Sequence, residues 1–308
     1  MKKIIEISNL KKYFKDVKAV DDISFNVREG ELFAFLGLNG AGKSTTINIM
    51  CGSLDKDEGN VIIDDKDIDR DLNGIKANIG IVFQNSVLDK NLNAYDNLKT
   101  RALLYGISKE NFDKKLKELI DLLDLKDILK RPLCKLSGGQ KRRIDIARAL
   151  IHSPKILILD EPTTGLDPQT RIMVWNVINY LRKETKLTVF LTTHYMEEAS
   201  EADYVVILDS GKIVADGTPN DLKNEYASDF VKIYFDSKNK DKIYKTLVKN
   251  EIKYVENKEY FEVEVKSVKE AKEMIIKYPD IFEDFEVVKG KMDNVFLNVT
   301  GKDKKEVV

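Results

Sequence analysis

The feature that most constrains the fold is a glycine-rich loop placed between a strand pattern and a helix pattern. Residues 37–45 read GLNGAGKST and directly follow a short apolar run, ELFAFLG (31–37). They fit G-x-x-x-x-G-K-[ST], in which a buried strand, a phosphate-binding loop and a helix follow one another. Glycines let the backbone wrap around phosphate oxygens, so that successive N–H groups point at the anion. A plain glycine turn is the alternative, and the preceding strand disfavours it.

Buried strands alternate with helices over much of the chain. The apolar runs KILILD (155–160) and TVFLTT (188–193) resemble the run at 31–37, and helical spacing covers residues 109–124 and 169–183. This alternation predicts an α/β core with a parallel sheet. In the second helix, the apolar positions Ile172, Trp175, Ile178 and Leu181 are expected to face the core.

The two ends of this core have a different pattern. KIIEISNL, DISFNV and NVIIDDKDI have turn-separated β character, which predicts an antiparallel flank, and residues 204–216 read as a hairpin that turns at Asp209-Ser210-Gly211. After about residue 225 the chain becomes rich in lysine and glutamate, with short strands and helices. We therefore predict domains at 1–225 and 226–308, the second a small α+β domain.

Two adjacent carboxylates end one of the buried strands. ILILDE (156–161) closes with Asp160 and Glu161. Two like charges at the end of an apolar strand are costly unless a cation or a substrate uses them. In a phosphate-loop protein the first would help to hold Mg²⁺, and the second would orient and deprotonate the attacking water. Solvated acids at an ordinary strand end are the alternative.

Composition limits the class of protein. Lys+Arg 51 against Asp+Glu 52 gives a net charge of −1, which does not favour a polyanion partner. The two cysteines, Cys51 and Cys134, are far apart and are expected to be buried, reduced side chains. Neither a signal peptide nor a membrane-spanning apolar run is visible, so we expect a cytosolic chain.

A third motif, LSGGQKRR (136–143), combines a helix start with features that oppose a helix. Ser137 and Gln140 form a capping-box pattern, yet Gly138 and Gly139 occupy the first turn and three cations follow. Cations oppose the macrodipole at a helix N-terminus. Exposed N–H groups at such an end favour the arrival of an anion.

The ordered set GLNGAGKST, VFQ, LSGGQ, ILILDEPTTGLD and TTH resembles the ATPase subunit of ATP-binding cassette (ABC) transporters over residues 1 to about 225. The resemblance implies a head-to-tail dimer, either a homodimer or a pair with a second ABC ATPase subunit, which holds two ATP molecules. Each ATP then lies between one chain's phosphate loop and the other chain's signature, LSGGQ. The resemblance also implies Mg²⁺ and an integral-membrane permease as partner, with the chain peripheral on the cytoplasmic face of the membrane.

The resemblance assigns roles residue by residue. Glu161 is the general base, His194 contacts the γ-phosphate and steadies Glu161, and Gln84 contacts Mg²⁺ and the water. The expected Mg²⁺ ligands are Ser44, Gln84 and Asp160. The expected nucleotide contacts are Gly37, Asn39, Gly40, Ala41, Gly42, Lys43, Ser44 and Thr45 in the phosphate loop, Ser137, Gly138, Gly139 and Gln140 in the signature, and Asp167, which links the two ATP sites. The cations Lys141–Arg143 are expected on a solvated face, and His152 is expected to be structural.

An aromatic side chain near residue 13 is expected to stack on adenine. The number of residues that separate this position from Leu10 and from Ala19 favours Phe14 over Tyr13, although the family more often has tyrosine there.

Further segments of the sequence indicate the type of ABC system. Residues 85–135 read as the helical insertion that grips the membrane subunit, within a helical subdomain of about 85–150. NSVLDKNLNAYDNL, EPTTGLDPQTR, LTTHYMEEAS and the closing MDNVFLNVTG (292–301) resemble the drug-exporter, daunorubicin-type branch. The transported substrate stays open, because substrate contacts lie in the permease.

Two other functions are alternatives to a transporter motor. Soluble ABC proteins that act on ribosomes or DNA usually carry two cassettes or a long coiled-coil insertion, and this chain has one phosphate loop, one signature and no visible basic face for nucleic acid. A cassette that binds ATP without hydrolysing it is disfavoured by the presence of Glu161 and His194.

Overall fold

The structure is a computed structural model that describes residues 2–301. These residues form two compact units, which divide between Asp216 and Gly217. The sequence placed this division at about residue 225. The difference is one helix, α8 (Pro219–Tyr226), which belongs to the second unit and packs there on α11 (Met292–Thr300).

The centre of the first unit is a six-stranded sheet. In spatial order its strands are β10 (Lys212–Gly217), β9 (Tyr204–Asp209), β3 (Leu32–Leu36), β8 (Thr188–Thr193), β7 (Ile156–Asp160) and β6 (Ile79–Val82). The pairs from β9 to β6 are parallel. Every residue of β3, β7 and β8 is buried, as their largely apolar sequences predict.

An antiparallel sheet flanks this core, as predicted. Its order is β2 (Val17–Arg28), β1 (Lys3–Phe14), β4 (Glu58–Ile63) and β5 (Lys66–Asp67). Its apolar side chains share one hydrophobic cluster with those of the central sheet. Phe33 lies at the centre of this cluster, with its ring 5.3 Å from that of Phe25 and 5.2 Å from that of Phe190.

Seven helices of the first unit lie among the described residues. They are α1 (Lys43–Met50), α2 (Leu72–Asn78), α3 (Ala94–Leu104), α4 (Lys109–Leu123), α5 (Gly138–Leu150), α6 (Pro168–Thr185) and α7 (Met196–Ser200). The helices α3, α4 and α5 and a short 3-10 turn, Leu133–Lys135, lie in the region predicted to be a helical subdomain. Among residues 2–301, no helix combines the length and the apolar character needed to cross a bilayer.

Two predictions about burial were wrong in part. Cys51 is buried but Cys134 is exposed, because the 3-10 turn that contains Cys134 packs inward through Leu133 and leaves Cys134 facing solvent. In α6 the buried side chains are Val174, Val177, Ile178 and Leu181, whereas Ile172 is 62% exposed. The buried face therefore begins two residues later than the spacing predicted, because Ile172 and Trp175 line a surface hollow with Tyr195 and do not pack into the core.

The second unit has its own antiparallel sheet and core. The sheet order is β12 (Val255–Glu256), β13 (Tyr260–Val265), β11 (Asp229–Tyr234) and β14 (Phe285–Val288). The helices α9 (Lys240–Lys249) and α10 (Val268–Lys277) complete a β–α–β–β–α–β sequence of elements, which is the ferredoxin-like arrangement. The predicted small α+β domain is thus present, and α11 ends it at Gly301, whose φ is +66°.

Candidate active site

The predicted catalytic residues follow four neighbouring strands of the central sheet. The loop 37–45 follows β3, His194 follows β8, Asp160 ends β7, and Gln84 comes two residues after β6. Because these strands are parallel and adjacent, their carboxyl ends meet at one edge of the sheet, where open α/β sheets bind ligands. The sheet therefore brings together residues that are up to 157 positions apart in the pair from Gly37 to His194.

The phosphate loop has the geometry that its glycines predict. Gly40 and Gly42 have φ of +84° and +108°. A Cβ on Gly42 would lie 2.3 Å from the carbonyl oxygen of Ala19, so only glycine fits there. Lys43 begins α1, and its buried ammonium donates to the carbonyl oxygens of Gly37 (2.6 Å) and Leu38 (3.1 Å). Burial lowers the pKa of Lys43, because the charged form is desolvated in the loop.

An open cleft of about 790 Å³ lies over this loop. Its walls are Phe14, Asp16, Val17, Lys18, Ala19, Leu38, Asn39, Gly40, Gly42, Lys43, Ser44, Thr45, Gln84, Glu161 and Ser210. The ring of Phe14 is 46% exposed at one side of the cleft. Tyr13 is not a wall residue, and its hydroxyl donates to Asp21 Oδ1 at 2.7 Å. The structure thus places Phe14, and not Tyr13, where a base could stack.

Asp160 is buried at the end of β7 beside the phosphate loop. Its Oδ1 accepts a hydrogen bond from Thr192 Oγ1 at 2.6 Å, and its Oδ2 lies 3.5 Å from Ser44 Oγ. Burial raises the pKa of Asp160, and the nearby charge of Glu161 acts in the same direction. A bound cation would oppose both effects.

The oxygen atoms of Ser44, Gln84 and Asp160 are the hard ligands that Mg²⁺ prefers. Within residues 2–301, no group of three or more His, Cys, Asp or Glu side chains could hold a metal. A single carboxylate with neutral oxygens suits Mg²⁺, which keeps several waters and shares phosphate oxygens with its substrate. The residues present therefore fit this ion.

Glu161 is held in an unusual backbone conformation. Its φ is +46°, which is uncommon for a residue with a side chain and is found at functional sites. Its N–H is directed at Thr192, at 3.1 Å from the carbonyl oxygen and 3.2 Å from the hydroxyl. The buried carboxylate meets Gln84 Nε2 at 3.0 Å and Thr164 Oγ1 at 3.3 Å, both on Oε2, while Lys43 Nζ lies 3.6 Å from Oε1.

The two histidines occupy different environments. His194 Nδ1 lies 3.2 Å from Glu161 Oε2, outside good hydrogen-bond geometry, and the His194 ring packs on Tyr195 with centroids 4.1 Å apart. His152 lies elsewhere, stacked on Tyr105 at 3.9 Å, with Nε2 donating to the Ile79 carbonyl at 3.0 Å. Burial lowers the pKa of His152 to about 4, so this histidine is neutral and structural.

The LSGGQ segment forms the capping box that the sequence predicted. Ser137 Oγ accepts from the Gln140 N–H at 3.2 Å, and Gln140 Oε1 accepts from the Ser137 N–H at 3.0 Å. A Cβ on Gly138 would meet nothing within 4 Å, whereas one on Gly139 would lie 2.6 Å from Thr170 Oγ1. The Gly138 face of this helix end is therefore open to a ligand, and the Gly139 face is closed.

Asp167 lies next to the signature. It caps α6, with Oδ1 accepting from the Thr170 N–H at 2.9 Å and Oδ2 accepting from Thr170 Oγ1 at 2.7 Å. Thr170 thus contacts Asp167 on one side and Gly139 on the other. Neither Asp167 nor any residue from Ser137 to Gln140 belongs to the walls of the phosphate-loop cleft. Within one chain, the phosphate loop and the LSGGQ segment therefore do not line the same cleft.

The prediction that Lys141–Arg143 form a solvated face was wrong for Arg142. This side chain is 6% exposed, and its guanidinium donates to the carbonyl oxygens of Phe83 (2.7 Å) and Gln84 (2.9 Å). These carbonyls lie just beyond β6 and have no sheet partner, so a buried donor satisfies them. Arg143 donates to the Asp124 carbonyl at 2.9 Å and carboxylate at 2.8 Å, at the end of α4.

Three site residues were not predicted. Thr192 contacts the Asp160 carboxylate and the Glu161 backbone N–H, Thr164 contacts the Glu161 carboxylate, and Thr170 lies between Asp167 and Gly139. Each lies within a recognised motif, LTTH or EPTTGLDPQT. The sequence of the motif does not show which group the threonine hydroxyl will bond. Only the pairing of β7 with β8 brings Thr192 opposite Asp160.

Comparison with known proteins decides the family. Residues 20–164 match the sequence profile described as ABC transporter. The linearmycin resistance ATP-binding protein of Bacillus subtilis is 38% identical over 229 residues, which are 74% of this chain and 73% of that protein. The chain belongs to the ABC transporter ATP-binding family. It is an ABC ATPase subunit, as the motifs predicted.

Other relatives of this ABC ATPase agree. The daunorubicin/doxorubicin resistance ATP-binding protein of Streptomyces peucetius is 37% identical over 74% of this chain and 69% of its own length. Among solved structures, the dimeric bacterial ABC transporter cassette MJ0796 has a TM-score of 0.65 and 30% identity, over 70% of this chain and 98% of that one. A post-hydrolysis dimer of the same cassette, bound to ADP and Pi, has a TM-score of 0.64 and 28% identity over the same shares. The predicted cassette fold and the resemblance to the drug-exporter branch are confirmed.

Proposed function

We propose that this ABC ATPase is the Mg²⁺-dependent motor of an exporter, in which two cassettes close on two ATP molecules and drive a separate membrane permease. The observation that carries the proposal is the convergence of Gln84, His194 and Lys43 on the carboxylate of Glu161 beside the phosphate loop. A buried carboxylate with these neighbours suits the activation of a water molecule next to the γ-phosphate.

The roles of the individual residues follow from this geometry. Lys43 and the loop N–H groups bind the β- and γ-phosphates, and Glu161 takes a proton from the attacking water. Gln84 and Thr164 orient the Glu161 carboxylate through Oε2, and His194 lies at the same oxygen. Ser44, Asp160 and Gln84 would hold Mg²⁺, which would supply positive charge to neutralise the charge that develops on the phosphate oxygens.

The open end of α5 supports a head-to-tail dimer. Ser137 and Gly138 lie outside the walls of the chain's own cleft, and Gly138 faces open space. A helix N-terminus that presents free N–H groups is a ready anion site. We propose that it receives the γ-phosphate of ATP held by the second cassette, with Asp167 and Thr170 next to that contact.

The face of α3 is the proposed contact with the permease. Leu103 and Leu104 are 64% and 75% exposed, and Val87, 45% exposed, lies in the segment that follows Gln84. A hollow of about 370 Å³ beside them is lined by Phe83, Leu104, Tyr105 and two arginines, Arg101 and Arg148. Exposed apolar side chains next to a hollow are typical of a protein docking site. Bound in this way, the chain would lie peripherally on the cytoplasmic face of the membrane.

The relatives named for linearmycin resistance and for daunorubicin/doxorubicin resistance support export as the direction of transport. A relative in Ralstonia nicotianae is named for Nod factor export and is 35% identical over 76% of this chain. These relatives are named for chemically different compounds. The permease, and not this chain, would therefore select the substrate.

The first test is the mass in solution of Glu161→Gln with and without ATP. We expect a 35.2 kDa monomer without ATP and a doubled mass with it, because ATP binds but is not hydrolysed. ATP turnover should fall by roughly 10²–10⁴-fold, the usual contribution of a general base. The matched variant Lys43→Ala should lose nucleotide affinity and stay monomeric. Parental turnover in Glu161→Gln would contradict the general-base role, and an unchanged mass with ATP would contradict closure by the chain alone.

The permease contact has its own test. A Leu103→Ser, Leu104→Ser double variant is expected to keep the ATPase activity of the isolated chain and to lose co-sedimentation with membranes of the producing cells. Undiminished co-sedimentation would show that α3 is not the docking face.

A further inference from the structure

The segment that follows β6 carries Gln84 but has no regular structure of its own. Residues 83–89 form neither helix nor strand, so their backbone groups need partners elsewhere. Gln84 itself is exposed, and its amide reaches Glu161 at 3.0 Å. An exposed side chain on an irregular segment holds its position only if the backbone beneath it is fixed.

The first part of α5 supplies these partners. Arg142 donates to the carbonyl oxygens of Phe83 and Gln84 through two different nitrogens, at 2.7 and 2.9 Å. One turn further along, Asp145 interacts with the Ser86 side chain and the Val87 N–H. A planar guanidinium that engages two consecutive carbonyls fixes both their spacing and their direction.

Both side chains are buried, which makes the arrangement specific. Arg142 is 6% exposed and Asp145 is 4% exposed. Burial raises the pKa of Asp145, whereas the nearby charge of Arg142 lowers it. A buried arginine is costly unless its donors are used, and the two carbonyls use them.

The same helix begins at Ser137, the end proposed to meet the second ATP. Arg142 lies five residues along from Ser137, within the first two turns of α5. Both residues belong to one continuous helix, so regular backbone hydrogen bonds set the distance between them. The position of the LSGGQ end and the position of the Gln84 backbone are therefore linked through one side chain.

We infer that Arg142 is a positioning residue for ATP hydrolysis, which holds the Gln84 backbone so that the Gln84 amide meets Glu161 and which links this contact to the LSGGQ end of α5. The inference rests on the proposed roles of Gln84 and Glu161. It assigns Arg142 no contact with nucleotide, and its effect is transmitted entirely through Gln84.

The test is a double-mutant cycle on the ATPase activity of the full chain. Arg142→Met should lower kcat by about 10- to 100-fold, since small displacements of a positioning group have effects of this size. The KM for ATP should change by less than about twofold, because Arg142 is not a wall of the cleft and the substitution leaves Lys43 and the phosphate loop in place. In a Gln84→Ala background, Arg142→Met should lower kcat no further. Arg142→Lys, which keeps one charged donor, should recover part of kcat.

Arg143→Met is the matched control. Arg143 also donates to backbone carbonyls from α5, but those carbonyls belong to Leu123 and Asp124. We expect a comparable fall in thermal stability with kcat retained. If Arg143→Met lowers kcat as much as Arg142→Met does, the effect is one of folding and the inference is overturned.

The remaining outcomes distinguish a failure of the positioning role of Arg142 from a failure of the proposed role of Gln84. Independent, multiplicative losses in Gln84→Ala and Arg142→Met would overturn the positioning role while leaving the proposed function intact. Parental kcat in Gln84→Ala alone would contradict the proposed role of Gln84, and the inference would be overturned with it.

Discussion

Thr192 on β8 donates a hydrogen bond to Asp160 on the neighbouring strand β7, with 2.6 Å between Oγ1 and Oδ1. The same hydroxyl accepts from the N–H of Glu161 at 3.2 Å. One buried side chain thus fixes the proposed Mg²⁺ ligand and the backbone of the proposed base. Their separation depends on strand pairing, because Thr192 lies opposite Asp160 in the β7–β8 register.

Replacing Thr192 by valine should therefore damage stability and activity together. The change leaves Asp160 Oδ1 buried without its donor, which costs about 1–3 kcal/mol of unfolding free energy. We expect a lower kcat as well, measured beside chemical denaturation. Thr188→Val is the control on the same strand: it is equally buried and loses one bond from the Gly30 N–H, far from the site. Equal kcat in the two variants would refute the role of Thr192.

Phe14 should contribute to nucleotide affinity through stacking. Phe14→Ala is expected to weaken ATP binding by about 1–3 kcal/mol, the usual contribution of an aromatic ring under a base, and Phe14→Tyr should restore it. Titration with a fluorescent ATP analogue measures both. Tyr13→Phe is the control, because it removes only the bond to Asp21 and leaves the cleft intact. If Tyr13→Phe weakens binding and Phe14→Ala does not, the assignment of the two rings is reversed.

The two signature glycines should respond differently to alanine. Gly138→Ala places a methyl group in open space within this chain, so stability should change by less than about 0.5 kcal/mol. ATPase activity should nevertheless fall, because the methyl group stands where the second cassette's ATP is proposed to arrive. Full activity in a folded Gly138→Ala protein would count against the head-to-tail arrangement.

Gly139→Ala should act through packing. Its Cβ would lie 2.6 Å from Thr170 Oγ1, so Thr170 must move and its bonds to Asp167 weaken. The loss of a helix cap typically costs about 1 kcal/mol. Thermal denaturation of the two alanine variants should therefore rank Gly139→Ala as the less stable one.

Protonation of His152 should account for part of the fall in unfolding free energy at acidic pH. Its pKa in the folded state is lowered from 6.5 to about 4, so the unfolded chain binds a proton first as the pH falls. The contribution of neutral His152 is complete above about pH 6.5 and is lost progressively between there and pH 4. His152→Gln keeps a donor for the Ile79 carbonyl but cannot become charged. Its unfolding free energy should fall less between pH 7 and pH 4.5 than that of the parent, and an identical fall in both would contradict this account.

The elements that depend on contiguous residues could be predicted from the sequence. The phosphate loop, the buried strands, the capping box at Ser137 and the acidic pair Asp160–Glu161 each lie within one short segment, so local chemistry is enough to predict them. The order of these motifs was also enough to identify the family.

Contacts between distant segments depend on how the chain packs, and they could not be predicted from the sequence. Arg142 appeared solvated because a charge run is usually exposed, but the unpaired carbonyls after β6 made its burial favourable. Thr192 and Thr164 carry no local signal, and their roles come from strand pairing and the turn at Glu161. Ile172 and Trp175 line a surface hollow of the folded chain, which their helical spacing could not show. Periodicity reports that a helix has an apolar face, whereas the neighbours of each turn depend on how the whole chain packs.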